Sequence, residues 1–218
     1  PCAYADTREL IACCEASAAH GGFFAPHLRN YGAHFPEAIK EAVDIGLASG
    51  APVHFTHFHC SFPSNKTRVH QVLALLEQAA KDGVDVTLDS YPYTAGSTFL
   101  GGLFPTWAHE GGPEAFLERI SSGSLRERIR RELEEEGCDG FQYEPVDWNA
   151  IVIGGISSRE DSWVAGHSLT DLSGRTGKRP IDIACDLLIE ADLEVSCLAF
   201  IGYEENVRTI MKHPKHMA

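Results

Sequence analysis

Two histidines, His27 and His57, each close a short apolar run, and thirty positions separate them. The runs are Gly22-Phe23-Phe24-Ala25-Pro26-His27 and Pro52-Val53-His54-Phe55-Thr56-His57. If both runs are strands joined by one helix, their ends lie side by side. Two neutral imidazoles there can share a divalent metal such as zinc, or each can be an ordinary buried histidine. Within His54-Phe55-Thr56-His57-Phe58-His59-Cys60, side-chain alternation in an extended chain sets His57 and His59 on one face and His54 on the other. That face reads either as a metal couple assisted by Cys60 or as an aromatic and imidazole cluster that hydrogen-bonds locally; His54 reads as structural. A third run, Val84 to Asp89, ends in a carboxylate that is either a general base or a loop cap. Beyond it Tyr91, Tyr93 and Ser97 offer hydroxyls to a substrate, and Gly96 lets the backbone approach a carboxylate closely. Ser97 lacks the G-x-S-x-G setting of a nucleophile. Arg29, two residues past His27, can pair with a carboxylate or simply face solvent. His20, His34, His70, His109, His167, His213 and His216 read as surface or capping residues.

A strand-then-helix rhythm positions these groups. Phe35, Ile39, Ala42, Val43 and Gly46 keep one helical face, and Val69, Val72, Leu73, Leu76, Ala79 and Ala80 keep another. Strand starts recur about every 30 residues, the length of a βα unit, which implies a parallel sheet with right-handed crossovers. Polar strand ends form the active rim of a (β/α)8 barrel, and no G-x-G-x-x-G turn speaks for an open doubly wound sheet. The rhythm breaks after Asp89. Residues 90–112 read as a long loop, and Ser124-Leu125-Arg126-Glu127 as a capping box opening a charged helix to about Glu136. Trp148–Ile153 and Glu194–Ile201 read as strands, Ile181–Ile189 and Tyr203–His213 as helices. The expected fold is α/β, a partial (β/α)8 TIM-type barrel with about four strands. Residues 1–91 carry its βα units, 92–170 an inserted small α/β subdomain, and 171–218 the return to the barrel.

Composition narrows the function. Six basic side chains face ten acidic ones in residues 1–109, and twelve face twenty-one in the rest, for a net charge of −13 over 218 residues. Neither half suits a nucleic-acid backbone or an anionic membrane. No signal peptide and no run of about 18 apolar residues is visible. The seven cysteines form no C-x-x-C pair, which suggests a reduced, cytoplasmic protein. Asn65-Lys66-Thr67 matches a glycosylation sequon by chance. Both chain ends look cut, as in an internal fragment.

Taken together, the motifs resemble one family. Gly21 to Asn30 resembles G-G-x-Y-A-T-H-M-R-N, and the stretch to His57 resembles a helix followed by G-x-P-V-x-x-S-H. Asp89 to Thr98 resembles D-x-Y-P-Y-x-A-G-S-T, and Glu204 to Arg208 with His213-Pro214 resembles E-E-N-V-R…H-P. These are motifs of the N-acyl-D-amino-acid deacylases (D-aminoacylases) of the amidohydrolase superfamily. The resemblance implies a zinc-dependent (β/α)8 hydrolase that removes the acyl group of a small N-acyl-D-amino acid. It puts His27 and His57 at zinc-ligand positions and Tyr91 and Ser97 at substrate-contacting ones. Arg29 and His59 are the candidates to meet the substrate carboxylate. The chain departs from the pattern at Pro26, Leu28 and Phe58-His59, where the family has Thr, Met and H-K, so His59 replaces a substrate-contacting Lys. The remaining H-x-H strand, a ligating Cys and the catalytic Asp would lie outside these residues, the Asp beyond Ala218, and the isolated chain is expected to be inactive. Two other readings are a cyclic-amide hydrolase of the dihydroorotase or hydantoinase kind and a non-catalytic truncated barrel.

Overall fold

A computed structural model describes residues 4–157 and 162–217. Along the chain run α1 (Thr7–Ala18), α2 (Phe35–Ser49), β1 (Val53–Phe55), α3 (Val69–Lys81), β2 (Val86–Leu88) and β3 (Gly96–Phe99). There follow α4 (Pro113–Ser121), α5 (Gly123–Arg131), β4 (Ile151–Ile156), α6 (Leu169–Thr176), α7 (Pro180–Glu190), β5 (Val195–Ala199) and α8 (Glu204–Met211). They divide into two compact units, Pro1–Thr94 with Gly202–Ala218, and Ala95–Ile201.

In the first unit β1 and β2 pair in parallel, Val53 opposite Val86 and Phe55 opposite Leu88, and all four side chains are fully buried. On the other face of this pair His54 stands opposite Thr87, their side chains 2.8 Å apart. The row extends on both sides. Phe24 forms a parallel bridge with Val53, and His216 forms one with Leu88. Four parallel segments therefore lie side by side, although only two are long enough to be strands. The first is a single bridge because its pairing runs from the Phe24 N–H to the Pro52 carbonyl and from the His54 N–H to the Phe24 carbonyl, and two residues later Pro26 has no N–H to offer. α2 packs Phe35, Ala38, Ile39, Ala42, Ile45 and Gly46 inward, the i, i+3, i+4, i+7 spacing of one helical face, and stops at Gly50 with φ 71°. At Gly46 an added Cβ would sit 2.5 Å from Val53 Cγ2, so only glycine lets α2 approach the row this closely. α3 packs Val69, Val72, Leu73, Leu76 and Ala79 inward in the same way.

The second unit is built differently. β5 is the middle strand of an antiparallel sheet in the order β3-β5-β4, with Ser97 opposite Leu198 and Ile153 opposite Cys197. Glu194–Ile201 is thus not another parallel barrel strand. Its alternating buried side chains, Val195, Cys197 and Ala199, serve an antiparallel sheet equally well, and alternation alone does not distinguish the two. Because this strand and α7 belong with β3 and β4, the second boundary falls at Ile201 rather than at position 170. The capping box expected at Ser124 is absent. α5 begins earlier, at Gly123, so Ser124 already lies inside it, and the capping box of this unit is Ser168 with Asp171 at the start of α6. Arg126 ties α5 to α7 through Asp186 at 2.9 Å. The fold is mixed α/β with few strands, and among the described residues no barrel closes.

His109, read from sequence as a surface or capping residue, is half-buried here. It stacks on Phe116 with ring centroids 4.1 Å apart and holds the Gly101 carbonyl at 3.1 Å. Burial lowers its pKa. Below the ordinary histidine value of about 6.5 the unfolded chain takes up a proton that the folded unit resists, so stability falls as pH drops through that value. Thermal melts between pH 7.5 and 5.5 are expected to show a decline that His109→Gln, which keeps a donor for Gly101, makes shallower.

Candidate metal centre

His27 and His57 meet at one end of the parallel row. His27 Nδ1 lies 3.1 Å from His57 Nε2, with ring centroids 4.8 Å apart. Each ring is placed by a different device. His27 follows the bridged segment, and the Thr56 hydroxyl donates to the Pro26 carbonyl at 2.7 Å, stitching the two segment ends together. His57 lies past the end of β1 in a turn, with φ 38°, a left-handed conformation that a non-glycine residue adopts at a cost of about 1–3 kcal/mol. Asp89, just past β2, holds that turn. Its Oδ1 accepts the His57 N–H at 2.6 Å and its Oδ2 meets His54 Nε2 at 2.8 Å. The loop-cap reading of Asp89 therefore describes its contacts. Partial burial pushes its pKa up, but the hydrogen bonds from His54 and His57 outweigh that and lower it.

Tyr31, which no spacing argument singled out, completes the grip. Its Oη lies 3.0 Å from His57 Nδ1 and accepts the Leu28 N–H at 3.0 Å. The only sequence signal was its place four residues after His27. Tyr31 is in turn held by Asn65, whose fully buried amide donates to the Tyr31 and Gly32 carbonyls at 2.9 and 2.7 Å. The buried Asn206 amide donates to the Cys60 carbonyl at 2.9 Å. So the sequon asparagine is an internal clamp.

The remaining candidates fall in different places. His59 and His57 do not share a strand face, because β1 ends at Phe55 and the turn at His57 breaks the alternation. His59 is buried, stacked on Tyr91 at 4.1 Å, with Nδ1 2.9 Å from the Ser61 hydroxyl; burial lowers its pKa. Tyr91 is half-buried, and burial raises its phenol. The Arg29 guanidinium pairs with Glu41 at 2.8 Å and donates to the Ala5 carbonyl at 2.6 Å. Ser97 is exposed on β3 of the second unit. Cys60 is buried, its thiol pushed up to about 12, and it donates to the Asn65 carbonyl, so it offers no thiolate. A cavity of about 450 Å³ borders His27 on its helix side, lined mainly by apolar residues such as Leu10, Phe24, Ala38 and Ile45.

The pair of rings fits part of a zinc site. Two nitrogens on one tetrahedral zinc, each about 2.0–2.1 Å from it, lie about 3.3–3.4 Å apart, close to the observed approach. Partial burial and then the facing His57 lower His27 to about 4, so its ring is neutral at pH 7 even though one side meets solvent. Among the described residues no group of three or more His, Cys, Asp or Glu could hold a metal. The fit is to two ligands.

Known proteins were compared with this arrangement. No family model matches the chain. It is 42% identical over 100 residues to a D-aminoacylase of Alcaligenes xylosoxydans xylosoxydans, covering 46% of this chain and 20% of that protein. The chain thus spans about a fifth of that relative's length. Its fold matches an N-acyl-D-glutamate deacylase from Bordetella bronchiseptica complexed with zinc and a phosphonate inhibitor, with a TM-score of 0.71 and 24% identity over 100% of this chain and 36% of that one. It also matches a D-aminoacylase described as defining a novel subset of amidohydrolases, with a TM-score of 0.67 and 25% identity over 99% of this chain and 35% of that one. The fold thus matches about a third of each of these two solved structures. Sequence and fold together support the N-acyl-D-amino-acid deacylase family, of which the chain covers only a part.

Removing the clamp behind Tyr31 tests how the site is held. Asn65→Ala leaves two buried carbonyls without their donor, at about 1–3 kcal/mol each. Denaturant unfolding is expected to show a loss of about 2–6 kcal/mol.

Proposed function

We propose that this chain carries the two-histidine part of the metal centre of a zinc-dependent N-acyl-D-amino-acid deacylase, set in a partial (β/α)8 barrel. The convergence of His27 Nδ1 and His57 Nε2 at 3.1 Å at one end of four parallel segments carries the reading. The likeness to deacylases supplies the substrate class. In this reading Ala95–Ile201 is the inserted subdomain.

Zinc bound at these nitrogens would lower the pKa of a bound water to about 7 and polarise the acyl carbonyl. The chain's own residues prepare that chemistry. His27 stays neutral at pH 7 and so keeps a nitrogen lone pair available. Asp89 fixes the backbone of His57, and Tyr31 fixes its ring. Tyr91 is assigned to orient the substrate, and Arg29 and His59 to meet its carboxylate. Arg29 does so only by loosening its pair with Glu41. His59 is held by burial below the ordinary histidine pKa, so at pH 7 it serves as a neutral hydrogen-bonding group rather than a counter-ion. Proton transfer from the water is assigned to no residue of this chain, so hydrolysis of N-acetyl-D-amino acids by these 218 residues alone is not expected.

Equilibrium dialysis against zinc at pH 7.5 tests the ligand pair. With two ligands the chain is expected to bind zinc only weakly, and His27→Ala or His57→Ala to weaken that binding further by at least about tenfold, while His59→Ala leaves it unchanged. Retention of zinc by His57→Ala would sink the assignment.

A further inference from the structure

We propose that Tyr31 is a positioning residue that accepts the Nδ1 hydrogen of His57 and so keeps the lone pair of His57 Nε2 turned toward His27 Nδ1. The inference rests on the metal-centre reading above and assigns a role to a residue that reading does not use.

A neutral imidazole carries one hydrogen, on either nitrogen, and the partner of one nitrogen decides which. His57 has a fixed partner on each side. His27 Nδ1 stands 3.1 Å from its Nε2, and Tyr31 Oη stands 3.0 Å from its Nδ1. If the hydrogen sat on Nε2, it would fill the gap between the two rings where a metal must enter. With the hydrogen on Nδ1, Tyr31 accepts it and Nε2 is left as a donor of electrons. The phenol oxygen can take this second hydrogen while it accepts the Leu28 N–H, because it has more than one acceptor direction. Histidines that bind metals usually donate their other N–H to a fixed acceptor, which holds the ring orientation.

Tyr31 is fixed enough to do this. It is 8% exposed, and its ring packs against His27 at 5.1 Å, His57 at 5.6 Å and Phe35 at 5.6 Å. The Asn30 carboxamide oxygen accepts the Gly32 and His34 N–H groups at 2.9 and 2.8 Å, which closes the turn around Tyr31. The Asn65 amide then ties down its carbonyl. Reorienting the phenol would disturb its three ring contacts and the hydrogen bond it accepts from Leu28. A purely structural tyrosine would need the same packing but not this placement of its oxygen.

Long-range proton–nitrogen NMR of the full chain, with labelled histidine at pH 8, reads the two ring nitrogens of His57 directly. In zinc-free wild type the hydrogen is expected mainly on Nδ1. In Tyr31→Phe, which keeps the ring packing, the population shifts toward Nε2, and the zinc dissociation constant rises about 10–100-fold. A wild-type His57 protonated on Nε2 overturns the proposal, as does a Tyr31→Phe protein whose tautomer and zinc affinity both stay within twofold of wild type. Circular dichroism checks that the variant is folded; if it is not, the wild-type spectrum alone decides. If His27→Ala and His57→Ala bind zinc as wild type does, the metal reading fails, while the tautomer comparison still decides the role of Tyr31.

Discussion

The carboxylate of Asp89 sets the geometry of the candidate centre. It follows β2 directly, and parallel pairing of Phe55 with Leu88 brings it level with the turn after β1. There one oxygen takes the His57 N–H and the other takes His54 Nε2. A left-handed histidine costs about 1–3 kcal/mol, and a hydrogen bond to a charged acceptor contributes about 1.5–3 kcal/mol, so the two effects nearly cancel. The turn exists because the carboxylate is there. Without that turn the chain would continue extended, and the His57 ring would not be aimed at His27. An outlying backbone angle supported in this way is the kind of feature that gathers at functional sites.

Behind this end of the row the support is both apolar and polar. Phe55, Phe58 and Phe35 pack edge-on or tilted, with centroids 5.1–5.9 Å apart, and all three are fully buried. Such a cluster fixes where the turn sits but not how the rings beyond it rotate. The orientation comes from the buried amides. Asn65 and Asn206 each use their donors on backbone carbonyls of the loops that carry Tyr31 and Cys60. A buried amide left unpaired is costly, so these contacts resist slippage more sharply than hydrophobic packing does.

The sequence made the outline of this unit legible. Apolar spacing located α2, α3 and the β1–β2 pair, because one-sided burial leaves a period that can be read directly. Strand-end polarity pointed to His27, His57 and Asp89 as neighbours. It could not show Tyr31, since a tyrosine in a loop has no period, and its partner lies 26 positions away. Nor could it show that alternation stops before His57, because a left-handed turn is set by a carboxylate 32 positions further on. β5 was visible as a strand, but its antiparallel partners were not, since β3 is short and mostly exposed and lacks an apolar pattern. The Ser124 capping box met the pattern rule and still failed, because Ser122 and Gly123 start the helix one turn position too early.

Charge bears on how an anionic acyl-amino acid could be held. The whole chain carries −13, so a local positive field is needed near the centre. Arg29 is offset by Glu41, which also accepts the Thr7 hydroxyl at 2.7 Å, so at any distance this pair presents little net charge. His59 is held neutral at pH 7 by burial. His27 is held neutral as well, for the same reason. Of the two candidates to meet the carboxylate, His59 is neutral and Arg29 supplies almost no field unless its pair with Glu41 opens. In the proposed reading, a divalent ion held by the two neutral rings would be the main positive charge at the candidate centre itself. The same burial that keeps His27 available as a ligand thus leaves substrate attraction to depend on metal loading.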